Sequence, residues 1–387
     1  MYSEISQKKV DSIISEIISL RRHIHAHPEL SGLEYQTSVL IAGYLKKIGW
    51  KVTESVGRTG VVAEYGPSND GFIGLRVDMD ALPIDENTDL SYSSKVDGIM
   101  HACGHDIHIC IGLGVANLLK DSDLRYGIRI IFQPAEEIAS GAKWMISDGV
   151  TQNLRKILGV HVYPDLLVGK VGIKEGSLTA AAGELSVEII GQSGHGARPH
   201  EGVDAIWVAS KIISGIQELI TRTLDPLDPV VITFGKINGG KAYNILSEKV
   251  NILGTVRCTN LNLFDTLGDW LEEKISLIAQ SCGAKAKVKF KKITPPVNND
   301  LEINQVIRDC AIELIGRENV VELQKPSLGA EDFAEFLDYV PGSMFRLGVS
   351  GKDGCAPLHS SEFNPEEGAL KIAIQLISKT IMELNKL

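Results

Sequence analysis

The stretch from about 182 to 293 constrains the fold more than any other. GELSVEIIGQ opens it as a strand, and 203–222 follows as a helix with Ala205, Val208, Ala209, Ile212, Ile213 and Ile216 on one face. VVITFGKI and KVNILGTVRC supply two strands, 263–281 a second helix and 285–291 a last strand, before Thr294-Pro295-Pro296 ends the run. The order β-α-β-β-α-β is the ferredoxin-like split unit, which closes on itself as a small domain. Whatever flanks it is therefore one domain assembled from both sides of an insertion.

The flanks read as alternating strand and helix. Val10, Ile13, Ile14, Ile17, Ile18 and Leu20 give a first amphipathic helix, and 34–48 a second that Gly49 ends. Strands fall at 61–65, 72–77, 128–132 and 157–162, with an apolar helix at 106–120 and a helix around 142–147. After the insertion come helices at 301–316 and 331–337, the strand MFRLGV and a terminal helix. This predicts an α/β fold: a layered domain with a mostly parallel sheet from 1–181 and 294–387, carrying the inserted domain at 182–293. In such sheets a ligand site lies beyond the carboxyl ends of the strands.

Chemistry-bearing residues gather at those ends. In His101-Ala102-Cys103-Gly104-His105-Asp106, a thiol and an imidazole flank a glycine that lets the chain turn both toward one point. Asp106 is a candidate partner for an imidazole N–H. The strand Ile130-Ile131-Phe132 delivers Glu136-Glu137, whose side chains point in different directions, so that one can bind a metal while its neighbour reaches water. Two glutamates alone are more often a surface pair, and His161 in GVHV alone reads as a core histidine. With His359 they complete a mixed set, Cys103, His105, Glu137, His161 and His359, suited to zinc, manganese, nickel or cobalt. Five donors exceed the three protein ligands usual at one catalytic zinc, so two divalent ions per chain fit better.

HACGHD, PAEE, GVHV, GHGARPH, GAEDF and LHS occur in the order and approximate spacing of the aminoacylase-like metal-dependent amidohydrolases, the hippurate hydrolase and auxin-conjugate hydrolase branch of the dinuclear metallopeptidases. The resemblance spans nearly the whole chain. It implies that Cys103, His105, Glu137, His161 and His359 hold the metals, and that Glu136 is the general base toward a metal-bound water. It also implies that the inserted domain is a lid carrying a homodimer contact. His195, with His200 as a weaker alternative, becomes the candidate oxyanion donor. Asn244 and Arg257 become candidates for the substrate carboxylate, although the proline that relatives often carry near Asn244 is absent. Glu331 either orients a ligand or substrate or caps a helix with Asp332. The implied reaction is hydrolysis of N-acyl-L-amino acids. A dipeptidase or carboxypeptidase on the same scaffold is the nearer alternative; a cysteine hydrolase with Cys103 as nucleophile is the distant one.

Composition excludes other classes. A net charge of −10 disfavours nucleic acid and other polyanions. Charges interrupt the N-terminal apolar runs, so no secretory signal is expected, and no run is long enough for a membrane. Six scattered cysteines suggest a reducing, cytoplasmic setting.

Overall fold

The computed structural model describes residues 2–387, and side chains from Gln7 onward. The chain divides into two compact units: 1–178, 297–325 and 331–387 form the first, and 179–296 with 326–330 the second.

The first unit opens with α1 (Tyr2–Ala26) and α2 (Tyr35–Lys47), followed by β1 (Lys51–Val56), β2 (Gly60–Tyr65) and β3 (Phe72–Asp78). Next come α3 (His105–Leu119), β4 (Gly127–Gln133), α4 (Gly141–Ser147), β5 (Leu154–Leu167), β6 (Val171–Ile173) and β7 (Gly176–Ser177). The second unit holds β8 (Ala181–Ile190), α5 (Ala205–Thr223), β9 (Val230–Gly239), β10 (Lys249–Cys258), α6 (Leu261–Ser281) and β11 (Lys285–Thr294). The chain then returns to the first with β12 (Asn298–Asn299), α7 (Leu301–Ile315), β13 (Val320–Glu322), α8 (Ala334–Leu337), β14 (Gly342–Ser350) and α9 (Ala369–Leu384).

Among the described residues, the first unit is built on an eight-stranded sheet of order β1-β2-β4-β3-β5-β14-β6-β13. Its centre, β4-β3-β5-β14, is parallel, and antiparallel pairings enter at β2 and β6. The central strands β3, β4 and β14 are buried along their whole length, as parallel strands covered on both faces must be. Helix α3 is apolar nearly all round and almost entirely buried, which suits a helix packed between a sheet and the helices α1 and α9.

The second unit pairs its strands antiparallel in the order β11-β8-β10-β9, the arrangement of a split β-α-β-β-α-β unit. Helix α5 starts where Asp204 accepts the Ile206 N–H at 2.9 Å, and α6 where Asn260 accepts the Leu263 N–H at 3.2 Å. Each helix buries one stripe: Val208, Ala209, Ile212 and Ile216 on α5; Phe264, Leu267, Leu271 and Ile275 on α6.

The sequence pattern missed β1, an exposed strand with little apolar content, and the short β6, β7, β12 and β13. The helix expected from 331 begins only at Ala334, because Glu331 and Asp332 are drawn into ion pairs with Arg76. Among the described residues, no helix is long and apolar enough to cross a membrane.

Candidate active site

Asp80, just beyond β3, organises the carboxyl ends of the parallel strands. Its carboxylate accepts the Glu136 N–H at 3.1 Å on Oδ1 and the Glu137 N–H at 3.0 Å on Oδ2. Ser31 donates to the same Oδ2 at 2.6 Å. The loop after β4 is further pinned where Glu34 accepts the Ala135 N–H at 2.9 Å. Ala135 holds a left-handed φ of 54°, and His359 one of 64°. Left-handed backbone at non-glycine residues is costly and clusters at functional sites. Here it presents Glu136, Glu137 and His359.

Gly104 is left-handed at φ 77° and caps the start of α3. A Cβ there would stand 2.7 Å from Val162 Cγ2, so only glycine permits the turn that aims Cys103 and His105 together.

The two buried imidazoles show which nitrogen is free. His105 Nδ1 lies 2.9 Å from the Asp80 carbonyl, and His161 Nδ1 lies 2.7 Å from the Val162 carbonyl. A carbonyl only accepts, so each Nδ1 carries a proton and each Nε2 is the ring atom left to face the other donors. His161 Nε2 stands 3.6 Å from Cys103 Sγ. His105 Nε2 is buried without a hydrogen-bond partner, as is Glu137 Oε1 3.9 Å away. His359 Nε2 approaches the same Glu137 oxygen to 3.5 Å. Donor atoms of Cys103, His105 and His161 lie within 4.8 Å of one another, and so do those of Cys103, Glu137 and His359. Cys103 belongs to both groups. Imidazoles oriented by Nδ1–carbonyl bonds, an orphaned carboxylate oxygen and a shared thiol fit a pair of divalent cations.

Electrostatics point the same way. Burial pushes the Cys103 thiol well above its usual range, although His105 opposes the shift, so a thiolate here needs a cation. Burial, then Glu331, Asp332 and Glu137, push the Glu136 carboxyl well up. Glu137 is also raised by burial, against the pull of His105 and His359.

Of the residues singled out from the sequence, the first unit brings together Cys103, His105, Glu136, Glu137, His161, His359 and Glu331. Glu331 Oε1 accepts the Phe333 N–H at 2.9 Å and pairs with Arg76 at 3.1 Å, while atoms of Glu136, Glu331 and Asp332 form a further close trio. His195, Asn244 and Arg257 belong to the second unit. His195 bridges to Ile245, and the Gly196 N–H donates to the Asn244 carbonyl at 2.8 Å, so these two loops are neighbours. His195 Nδ1 accepts the Ala197 N–H at 3.1 Å, which leaves Nε2 as the proton-bearing nitrogen of an exposed neutral ring. Arg257 lies on β10 and donates to the Val256 carbonyl at 3.0 Å. His200 is exposed beside Glu201.

The expected role of Asp106 is corrected. Its carboxylate meets Arg21 and His25, both at 2.8 Å, rather than a donor-set imidazole. Successive residues on a helix diverge by about 100°, so Asp106 points away from the ring of His105. Sequence reasoning also missed Arg76, Asp78, Asp80 and His108. Their one legible signal is the pair of aspartates in Asp78-Met79-Asp80 at the end of an apolar strand.

A buried thiol, imidazole and carboxylate donor set with a spare carboxylate beside it, at the strand ends of an α/β sheet, defines a metal-dependent hydrolase. The chain belongs to peptidase family M20/M25/M40, whose profile matches residues 74–383. It is 40% identical to thermostable carboxypeptidase 1 of Saccharolobus solfataricus over 92% of each chain. It is 38% identical to an N-acetyl-L-cysteine deacetylase of Bacillus subtilis, covering 95% of this chain and 88% of the relative. Among solved structures, the YXEP protein of Bacillus subtilis, described as a dinuclear metal binding peptidase of the M20 family, superposes with a TM-score of 0.86. That match has 33% identity and covers 97% of this chain and 99% of the other.

Proposed function

We propose that the chain cleaves the amide bond of N-acyl-L-amino acids, releasing a carboxylate and a free amino acid. One observation carries the reading: two imidazoles, each held through Nδ1 by a carbonyl, bring their Nε2 atoms to Cys103 and Glu137 beside the buried carboxylate of Glu136. Cys103, His105, Glu137, His161 and His359 would hold two divalent ions of the zinc, manganese, nickel or cobalt type. Ions bound there polarise the acyl carbonyl and acidify water.

The chain's own groups then divide the work. Glu136 takes a proton from the attacking water and delivers it to the departing nitrogen. His195, with its proton on Nε2, donates to the developing oxyanion. Arg257 and Asn244 receive the carboxylate of the amino acid, and Glu331 orients the group bound next to Glu136. In this reading the second unit is a lid that also carries a homodimer contact.

The likeness to a carboxypeptidase supports a second reading on the same residues, cleavage of a C-terminal peptide bond. A cysteine hydrolase is disfavoured, because burial pushes the Cys103 thiol up and so away from the reactive thiolate.

A substrate panel separates these readings. Acetyl-, benzoyl- and indolylacyl-amino acids are assayed beside blocked and free dipeptides, after chelation and after return of each metal. Preference for simple N-acyl amino acids supports the proposal, and preference for dipeptides favours the second reading. Activity that survives chelation but not thiol alkylation would return the cysteine hydrolase. Glu136→Gln should lower kcat at least about a hundredfold with metal content kept. Glu137→Gln should lose metal as well as rate. The reverse pattern would exchange their roles.

A further inference from the structure

His108 lies three residues beyond His105 on α3 and is wholly buried. Both of its ring nitrogens are engaged, and the partners fix its proton. The Val162 N–H donates to Nε2 at 3.0 Å, so Nε2 is bare. Nδ1 therefore carries the proton and donates to Asp78 Oδ1 at 2.5 Å. Asp78 Oδ2 in turn accepts from Arg76 Nη1 at 2.7 Å. On the other side, the carbonyl of the same Val162 accepts His161 Nδ1–H at 2.7 Å. Both polar backbone groups of Val162 are thus tied to imidazoles. The rings of His108 and His161 meet edge to face with centroids 5.0 Å apart. A continuous run, Arg76–Asp78–His108–Val162–His161, joins β3, α3 and β5 and ends at the Nε2 that faces Cys103.

We propose that His108 is a positioning residue for one half of the donor set: through Val162 it holds His161 in the tautomer and orientation that let Nε2 bind a metal ion beside Cys103 and His105. The inference rests on the metal-holding role proposed above. Groups that orient metal ligands in this way typically contribute about 10–100-fold in affinity. The effect is asymmetric, because the other group, Cys103, Glu137 and His359, does not contain His161.

The test titrates metal-free protein with zinc ion alone against a chromophoric chelator, with thermal unfolding of the metal-free protein in parallel. His108→Asn keeps a donor near the Nδ1 position for Asp78 but removes the acceptor for Val162. His108→Gln keeps an acceptor near the Nε2 position. The expected result is that His108→Asn weakens one of two zinc equivalents by about 10–100-fold and spares the other, and that His108→Gln restores most of the loss. Wild-type-like binding by His108→Asn overturns the inference. So does equal weakening of both equivalents with a lowered melting temperature, the mark of general packing. If His108→Asn does not fold, Asp78→Asn carries the test: weakening of one equivalent supports the inference, and unaltered binding of both overturns it. Wild-type protein that binds no zinc would instead overturn the metal-holding reading on which this rests.

Discussion

The two units of this chain spend burial differently. Among the described residues, the charged side chains that are buried lie in the first unit: Arg21, Arg76, Asp78, Asp80, Asp106 and Asp332 are examples. The second unit buries an apolar core and, among polar residues, only Thr179, Ser247 and Thr294. Its ion pairs stand on the surface, as Glu188 does with Lys249 and Lys287. A buried charge costs several kcal/mol to desolvate, roughly, and its partner offsets this only when geometry is good. The first unit tolerates that cost because its chemistry needs donors and a base shielded from water. The second unit follows the simpler rule of an amphipathic sheet under two helices, and the same contrast predicts how each should respond to substitution.

The largest effect on stability is expected where a buried charge loses its partner. Asp106 joins the start of α3 to α1 through Arg21 and His25, and all three side chains are fully buried. Asp106→Asn leaves the Arg21 guanidinium with Glu367 at 3.4 Å as its remaining carboxylate. The expected loss is about 3–5 kcal/mol, read by denaturant unfolding of the metal-free protein. A loss too small to measure would mean that this network is not under the strain of burial, and the contrast between the units would weaken.

In the second unit the corresponding vulnerability is volume. Leu271 is fully buried on α6, among residues of α5 and the sheet. Leu271→Ala should cost about 2–5 kcal/mol through lost burial and a cavity. Metal stoichiometry and kcat per folded molecule should stay as in the wild type. A variant that loses metal in proportion to stability would show that the two units do not divide structure and chemistry as argued.

That division also explains what was legible in the sequence. The second unit could be read almost strand by strand, because one face of each element is apolar and the spacing of Val208, Ile212 and Ile216 declares it. The donor set was visible as unusual residue types at strand ends. The groups that aim it were not. His108 immediately precedes the apolar run ICIGLGVANLL of α3, where a histidine looks like any core residue. Asp80 holds Glu136 and Glu137 by their backbone N–H groups, and no side-chain pattern in the glutamate loop announces an acceptor supplied from just beyond β3. Asp106 was misassigned because adjacency along a chain says little about adjacency around a helix. Arg76 shortened the helix expected from 331 by binding its first two residues, which lie 256 positions away in the case of Asp332.

The smallest effect is expected at the surface of the second unit. Lys287 is directly opposite Glu188 on neighbouring strands and donates to it at 2.8 Å, while Lys249 holds the other carboxylate oxygen. Lys249, then Lys287, draw the Glu188 carboxyl down to about 2. A carboxyl depressed in the folded state contributes stability above its ordinary pKa, and that contribution fades as pH falls through the folded value. Solvent screens this exposed cluster, so little of the shift should survive as stability. Lys287→Ala is therefore expected to leave the melting temperature unchanged within error at neutral pH. Any residual difference from wild type should shrink as pH is lowered through the window from the ordinary carboxyl value toward 2, and it should shrink in high salt as well. Paired melts of Lys287→Ala and Asp106→Asn across that range provide the sharpest comparison. If the surface lysine costs as much as the buried aspartate, burial is not what separates the two units.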